Sequence, residues 1–221
     1  MQRKSSSQRG MPQAPQFKQP VPSEPTILTE LEAGGHYTQQ RWVNLALDGQ
    51  EAEDVSFDQL QLSGVRLQQA RLPLLQAVDT RCENVDFAGC VLEKAYIRRV
   101  EFQGCRLLGT SLLNADLEDV RFSRCMANML RIWTSSCRSV RFEHCSLCDA
   151  SFDGADLSGV VFDTCDLTGA DFRNANMKGT DLRGSTITRL QIGTRELAGV
   201  IVDPAQAVQL IQLFGVVVRG E

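Results

Sequence analysis

The chain has 221 residues, 43% of them hydrophobic and 23% charged, proportions that suit an ordinary soluble globular protein of one or two domains. A net charge of −4 implies no general affinity for nucleic acid or for an acidic membrane surface. No run approaches the roughly 20 apolar residues that span a bilayer, and Arg3 and Lys4 lead into serines, so neither a membrane segment nor a secretory signal is expected and the cytoplasm is the expected compartment.

Residues 1–26 hold five of the seven prolines (Pro12, Pro15, Pro20, Pro22 and Pro25) among Gln and Ser. Such a segment buries too little apolar surface to offset the entropy of ordering it, which predicts a disordered tail: an inert leader or a loosely bound partner-binding arm.

From Tyr37 the chain carries an apolar residue at every fifth position through Trp42, Leu47, Ala52 and Phe57 to Ile192 and Leu197, 33 positions without a slip. Eight of the ten phenylalanines sit in this phase. A second small or apolar residue lies two positions earlier, as at Val85, Cys90, Ala95 and Val100. Two inward residues flanking one outward residue make a short strand, and the remaining two residues make a corner, where glycines such as Gly64, Gly109 and Gly169 supply a positive φ. A helix cannot carry this pattern, because a period of five smears around a turn of 3.6 residues.

Segments such as Ala155-Asp156-Leu157-Ser158-Gly159 and Cys165-Asp166-Leu167-Thr168-Gly169 resemble the pentapeptide-repeat family motif over roughly residues 35–199. The resemblance implies an all-β fold, a right-handed quadrilateral parallel β-helix with four repeats per coil, occupying residues 27–199. The sequence carries its own sign of four sides: Val-x-Phe-x-x-Cys recurs at Val100, Val120, Val140 and Val160. Coils in register would stack Phe102, Phe122, Phe142 and Phe162 in one ladder and Cys105, Cys125, Cys145 and Cys165 in another. About eight coils at ~4.8 Å give a rod roughly 40 Å long, with ends that need caps.

Most cysteines occupy inward slots, where a thiol behaves as a small hydrophobe, so neither a disulfide framework nor a metal site is expected. Cys145 and Cys148 form a Cys-x-x-Cys pair, but their phases point them apart and no second ligand pair follows, so Cys148 alone is expected to be modifiable. His36 and His144 have no partner nucleophile, and no catalytic residues, cofactor or metal are expected.

What remains is the surface. Trp133 takes an outward slot above Leu113, with Met126, Met129 and Leu108 outward on the adjoining face, a candidate patch for another protein. Ala127 is small and Leu130 large where the repeat asks for the reverse. The resemblance also implies an alternative, since the family's quinolone-resistance proteins are acidic DNA mimics that bind gyrase. Here the candidate acidic spot (Asp116, Glu118 and Asp119) is diluted by Arg98, Arg99, Arg121 and Arg124. Direct nucleic-acid binding is not expected.

Residues 200–221 differ again. Asp203 and Pro204 read as the N-cap and first position of a short helix that Gly215 closes. Gln206, Gln209 and Gln212 form its narrow polar stripe, and Ala207, Val208, Leu210, Ile211, Leu213 and Phe214 cover the rest. One side of such a helix can plug the last coil. The other side, with Val216, Val217 and Val218 as a strand, is expected to pair with a second copy, an ending similar to that of the family's gyrase-binding dimers.

Overall fold

The computed structural model describes residues 11–219. It is a parallel β-helix closed by one helix. The strands are β1 (His36–Thr38), β2 (Arg41–Val43), β3 (Ser56–Asp58), β4 (Gln61–Ser63), β5 (Gln76–Val78), β6 (Arg81–Glu83), β7 (Tyr96–Gln103), β8 (Asp116–Ser123), β9 (Ser136–Glu143) and β10 (Val161–Asp163), followed by α1 (Pro204–Leu213). Every pairing is parallel and joins residues twenty apart, as in Tyr37 with Phe57 and Phe122 with Phe142. Two faces are strand ladders. The other two are held by single bridges such as Ala46 to Arg66 and Glu51 to Arg71. Four faces of five residues close one coil, as the 20-residue recurrence predicts.

Regular strand accounts for about six turns, fewer than the eight that the length of the repeat predicts. The later units explain the difference. In them the corner closes on itself on the first and second faces as well, with the Val160, Thr180 and Ser185 N–H groups donating to the carbonyls of Leu157, Met177 and Leu182, as it does on the other two faces of the earlier coils. A corner closed in this way draws the third strand residue into the turn and leaves one bridged residue per unit.

The core is one continuous column of inward side chains. Phe102, Phe122, Phe142 and Phe162 stack nearly parallel, with centroids 4.8, 4.6 and 5.1 Å apart, and Phe152 stacks on Phe172 at 4.9 Å. The second inward slot has a chemical logic that composition alone does not reveal. Its hydroxyls and thiols donate to the carbonyl twenty-three residues earlier: Thr110 to Phe87 (2.8 Å), Ser135 to Leu112 (2.6 Å), Ser185 to Phe162 (2.9 Å) and Cys125 to Phe102 (3.4 Å). Small side chains with one donor therefore fit where larger polar ones would lack partners. Ala127 and Leu130 are both fully buried, so the exchanged sizes compensate within one coil.

At the carboxyl end, Asp203 and Gln206 form a capping box, and Gly215 has φ +78°. The residues that meet the last coil are Gln206 and Leu210, with Ala207 partly buried. Gln206 therefore leaves the solvent stripe expected of it. Its amide donates to the carbonyls of Leu182 (2.6 Å), which also accepts the Ser185 N–H, and Ser185 (2.7 Å), at the end of the coil. Val208, Ile211, Leu213 and Phe214 stay exposed, as do Val216, Val217 and Val218, which follow the helix without regular structure.

Candidate protein-interaction surfaces

Four surfaces stand out, and the repeat phase places each of them. Leu108 and Met126 project from the third face, Leu113 and Trp133 from the fourth, and Met129 from the corner between them. Met126 is 56% exposed, Met129 52% and Trp133 37%, so the patch is open to solvent, with Leu108 and Leu113 half-buried at its edge. Trp133 is held in place. Its indole N–H donates to Ser151 Oγ at 2.7 Å, and the Arg131 guanidinium lies 5.6 Å from its ring centroid. A fixed aromatic flanked by two flexible thioethers is a surface that loses little freedom on binding and adapts to the shape it meets.

The acidic spot lies on the first face and the corner beyond it, and its charges are engaged. Arg138 reaches Asp116 at 3.2 Å and Glu118 at 3.7 Å, and Arg98 reaches Glu118 at 3.7 Å. On the second face Arg81 pairs with Glu101, and Arg141 bridges Glu143 and Asp163. A polar cleft of about 280 Å³ there is lined by Arg121, Ser123, Arg124, Glu143 and His144.

Residues 11–26, expected to be disordered, lie along the rod. The Gln13 N–H donates to Asp119 Oδ1 (3.1 Å), Gln16 N–H to Asp79 Oδ1 (2.8 Å) and Lys18 N–H to Gln59 Oε1 (2.8 Å). Nearer the first coil, Thr26 N–H donates to the Arg41 carbonyl and Arg41 to that of Ser23. The composition argument fails here because the segment needs no core of its own: the rod supplies its partners. Residues 1–10, the remainder of the expected tail, lie outside the described residues. The strap follows the corner between the first and second faces, diagonally across from Trp133, and leaves that patch uncovered.

Among the thiols, Cys82, Cys90, Cys105, Cys125, Cys137, Cys145 and Cys165 are buried, and Cys148 is half-exposed. Burial pushes the Cys90 and Cys137 thiols up to about 12, and the stacked thiols of Cys105 and Cys145 together with burial hold Cys125 protonated. Partial burial and the neighbouring Asp166 carboxylate also raise the Cys148 thiol. Among the described residues no three His, Cys, Asp or Glu side chains come close enough to hold a metal ion. In the same range no helix is long and apolar enough to cross a membrane.

Known proteins share this geometry. The family model for the pentapeptide repeat region matches residues 78–152, and that for pentapeptide repeats in eight copies matches 135–173 and 150–189. Together they span residues 78–189, about half of the chain. The chain belongs to the pentapeptide-repeat family. Proteins of this family are generally structural or interaction proteins. Among curated proteins no sequence relative matches this pentapeptide-repeat chain. Similar solved structures include a trypsin-treated variant of QnrB1, a plasmid-mediated fluoroquinolone resistance protein. It is 18% identical over 87% of this chain and 94% of its own, with a TM-score of 0.49. HetL, involved in heterocyst differentiation regulation in the cyanobacterium Nostoc sp. strain PCC 7120, is 17% identical over 77% of this chain and 90% of its own, with a TM-score of 0.35. A thylakoid-lumen pentapeptide-repeat protein of Arabidopsis thaliana is 20% identical over 57% of this chain and 71% of its own, with a TM-score of 0.21.

Two sets of residues escaped the sequence reading. Gln59 and Asp79 were unremarkable outward polar residues, although the corner they occupy carries side chains from Gln39 to Ser139 and glycine only from Gly159 onward. Gln206 looked like part of a wet stripe, and only its position over the open coil reveals its role.

Proposed function

We propose that this pentapeptide-repeat protein is a non-enzymatic cytoplasmic scaffold that binds another protein through the patch of Leu108, Leu113, Met126, Met129 and Trp133. The observation that supports this reading most is the Trp133 indole, exposed yet fixed by Ser151 and Arg131 between two exposed methionines. The apolar end of the chain supports a homodimer. Val208, Ile211, Phe214 and Val216–Val218 are exposed around an apolar cleft lined by Leu197, Val200, Val202 and Leu210, and a two-fold contact there would cover them.

Photo-crosslinking from position 129 in the native host tests the patch. A partner captured by the wild type, lost with Trp133→Asp and retained with a charge placed on the second face supports the reading; capture indifferent to Trp133→Asp refutes it. The rival function, a DNA mimic acting on gyrase, needs a dense negative stripe comparable to one charge per ≈ 1.7 Å of duplex. The ion pairs of Asp116 and Glu118 and the strap over Asp119 weigh against it.

A further inference from the structure

The corner beneath residues 11–18 has features that a passive tail does not require. Gln59, Asp79 and Asp119 are outward residues, yet they are only 3%, 5% and 6% exposed, because the strap covers them. Each presents a side-chain oxygen, and each oxygen accepts a backbone N–H rather than a side chain of the strap. Asp79 is held in aim by a bidentate pair with Arg99 (2.6 Å for both bonds) on the next coil. Burial pushes the Asp79 carboxyl up, but the Arg99 guanidinium and the Gln16 N–H outweigh it and keep it below the usual carboxylate range. Asp119 accepts no other hydrogen bond within the protein's described residues.

The pitch of the acceptors fits an extended chain. From Asp119 to Gln59 is three coils, or ~14 Å, and five residues of the strap cover it at ~2.9 Å each, close to the ~3.1 Å rise of polyproline II. The prolines fit the same plan. Pro12 precedes the first donor, at 13, and Pro15 falls between those at 13 and 16, positions where a missing N–H costs nothing and a fixed φ holds the chain extended. Phe17, under the Arg81 guanidinium at 5.9 Å, is the one side-chain feature of the strap for which a specific contact is apparent.

The linkage to the rod is slack. Lys18 lies on the coil of Gln59 and Thr26 on the adjacent coil, though eight residues can reach ~26 Å. The connection therefore does not force the strap into place, and the corner itself must hold it.

We propose that the corner of Gln59, Asp79 and Asp119 is a docking groove for an extended, proline-containing peptide of a partner protein, read through its backbone N–H groups, and that residues 11–18 occupy it as a self-ligand which the partner must displace. Because the readout is largely main-chain, the partner segment needs donors two and three residues apart, prolines only at positions that donate nothing and an aromatic residue near Arg81, rather than the sequence of the strap. A short tether gives the self-ligand an effective concentration near millimolar, so it screens out weak competitors.

The test uses the full chain and leaves the rod untouched. Gln13→Pro with Gln16→Pro deletes two donors from the strap alone. Fluorescence anisotropy then follows a labelled synthetic peptide of residues 11–26. The expected result is saturable one-to-one binding to the double-proline chain, at least tenfold tighter than to the wild type. A probe carrying the same two prolines should lose that binding. A probe with alanine at 13, 16 and 18 but its prolines and Phe17 intact should keep it within a few-fold. Equal affinity for the two chains, no binding to the double-proline chain up to millimolar probe, or failure of the alanine probe would each overturn the proposal. A fall in solution mass caused by the two prolines would assign the groove to the strap of a second copy and likewise overturn it.

Discussion

Phe142→Ala probes the coil register at its most constrained point. The ring is fully buried, stacked on Phe122 at 4.6 Å and Phe162 at 5.1 Å, with Phe152 edge-on at 6.3 Å. A buried Phe→Ala change costs about 3–5 kcal/mol, more where the site cannot collapse. Collapse is blocked here, because the coils above and below are held at the strand spacing by their main-chain ladders. Three aromatic pairs at about 0.5–1.5 kcal/mol each are also lost, so the upper end of the range, about 5 kcal/mol, is expected. Phe102 is the internal control. It has one stacked neighbour, Phe122, and one edge-on neighbour, Phe87, with Cys82 on its other side, and Phe102→Ala should cost about 3 kcal/mol. Urea denaturation followed by circular dichroism measures both, with the slope checked for loss of cooperativity, since a solenoid weakened in the middle can unfold in two parts. A cost for Phe142→Ala below about 2 kcal/mol, or no greater than that for Phe102→Ala, would refute the stacked-ladder argument.

Other outcomes follow from the same structure. A short alkylation pulse read by mass spectrometry should label Cys148 first, more slowly than an ordinary thiol at neutral pH and faster as pH rises, because its raised pKa leaves little thiolate; early labelling of Cys125 would contradict the inward ladder. Gln206→Ala removes the side-chain donor to the Ser185 carbonyl and one of the two donors to that of Leu182, and should cost about 1–3 kcal/mol by thermal or chemical denaturation, whereas Gln209→Ala should be near neutral. Light scattering at tens of micromolar should give a dimer that Ile211→Asp with Phe214→Asp converts to monomer while the cap stays intact; a monomeric wild type would leave the helix as a cap alone. Purified protein at low micromolar concentration should not inhibit gyrase supercoiling; inhibition weakened by neutralising Asp116 and Glu118 would favour the DNA-mimic reading.

The sequence by itself determined the solenoid. A five-residue period has one economical solution, and the recurrence of Val-x-Phe-x-x-Cys every twenty residues is enough to place four units in a coil and to stack Phe122 on Phe142. Inward burial of the cysteines and the capped helix after Asp203 were legible for the same reason: local pattern and local caps suffice to specify them. Tertiary structure alone decided what lies against the rod. Gln206 turned inward because the last coil offers the Leu182 and Ser185 carbonyls, acceptors that the local sequence of the helix does not contain. Residues 11–26 have the composition of a disordered segment, yet the prolines that make a chain unable to fold by itself also hold it extended, with little left to lose on docking. Whether such a chain is ordered depends on acceptors set at the pitch of its donors, and Gln59, Asp79 and Asp119 come into line only when four coils are stacked.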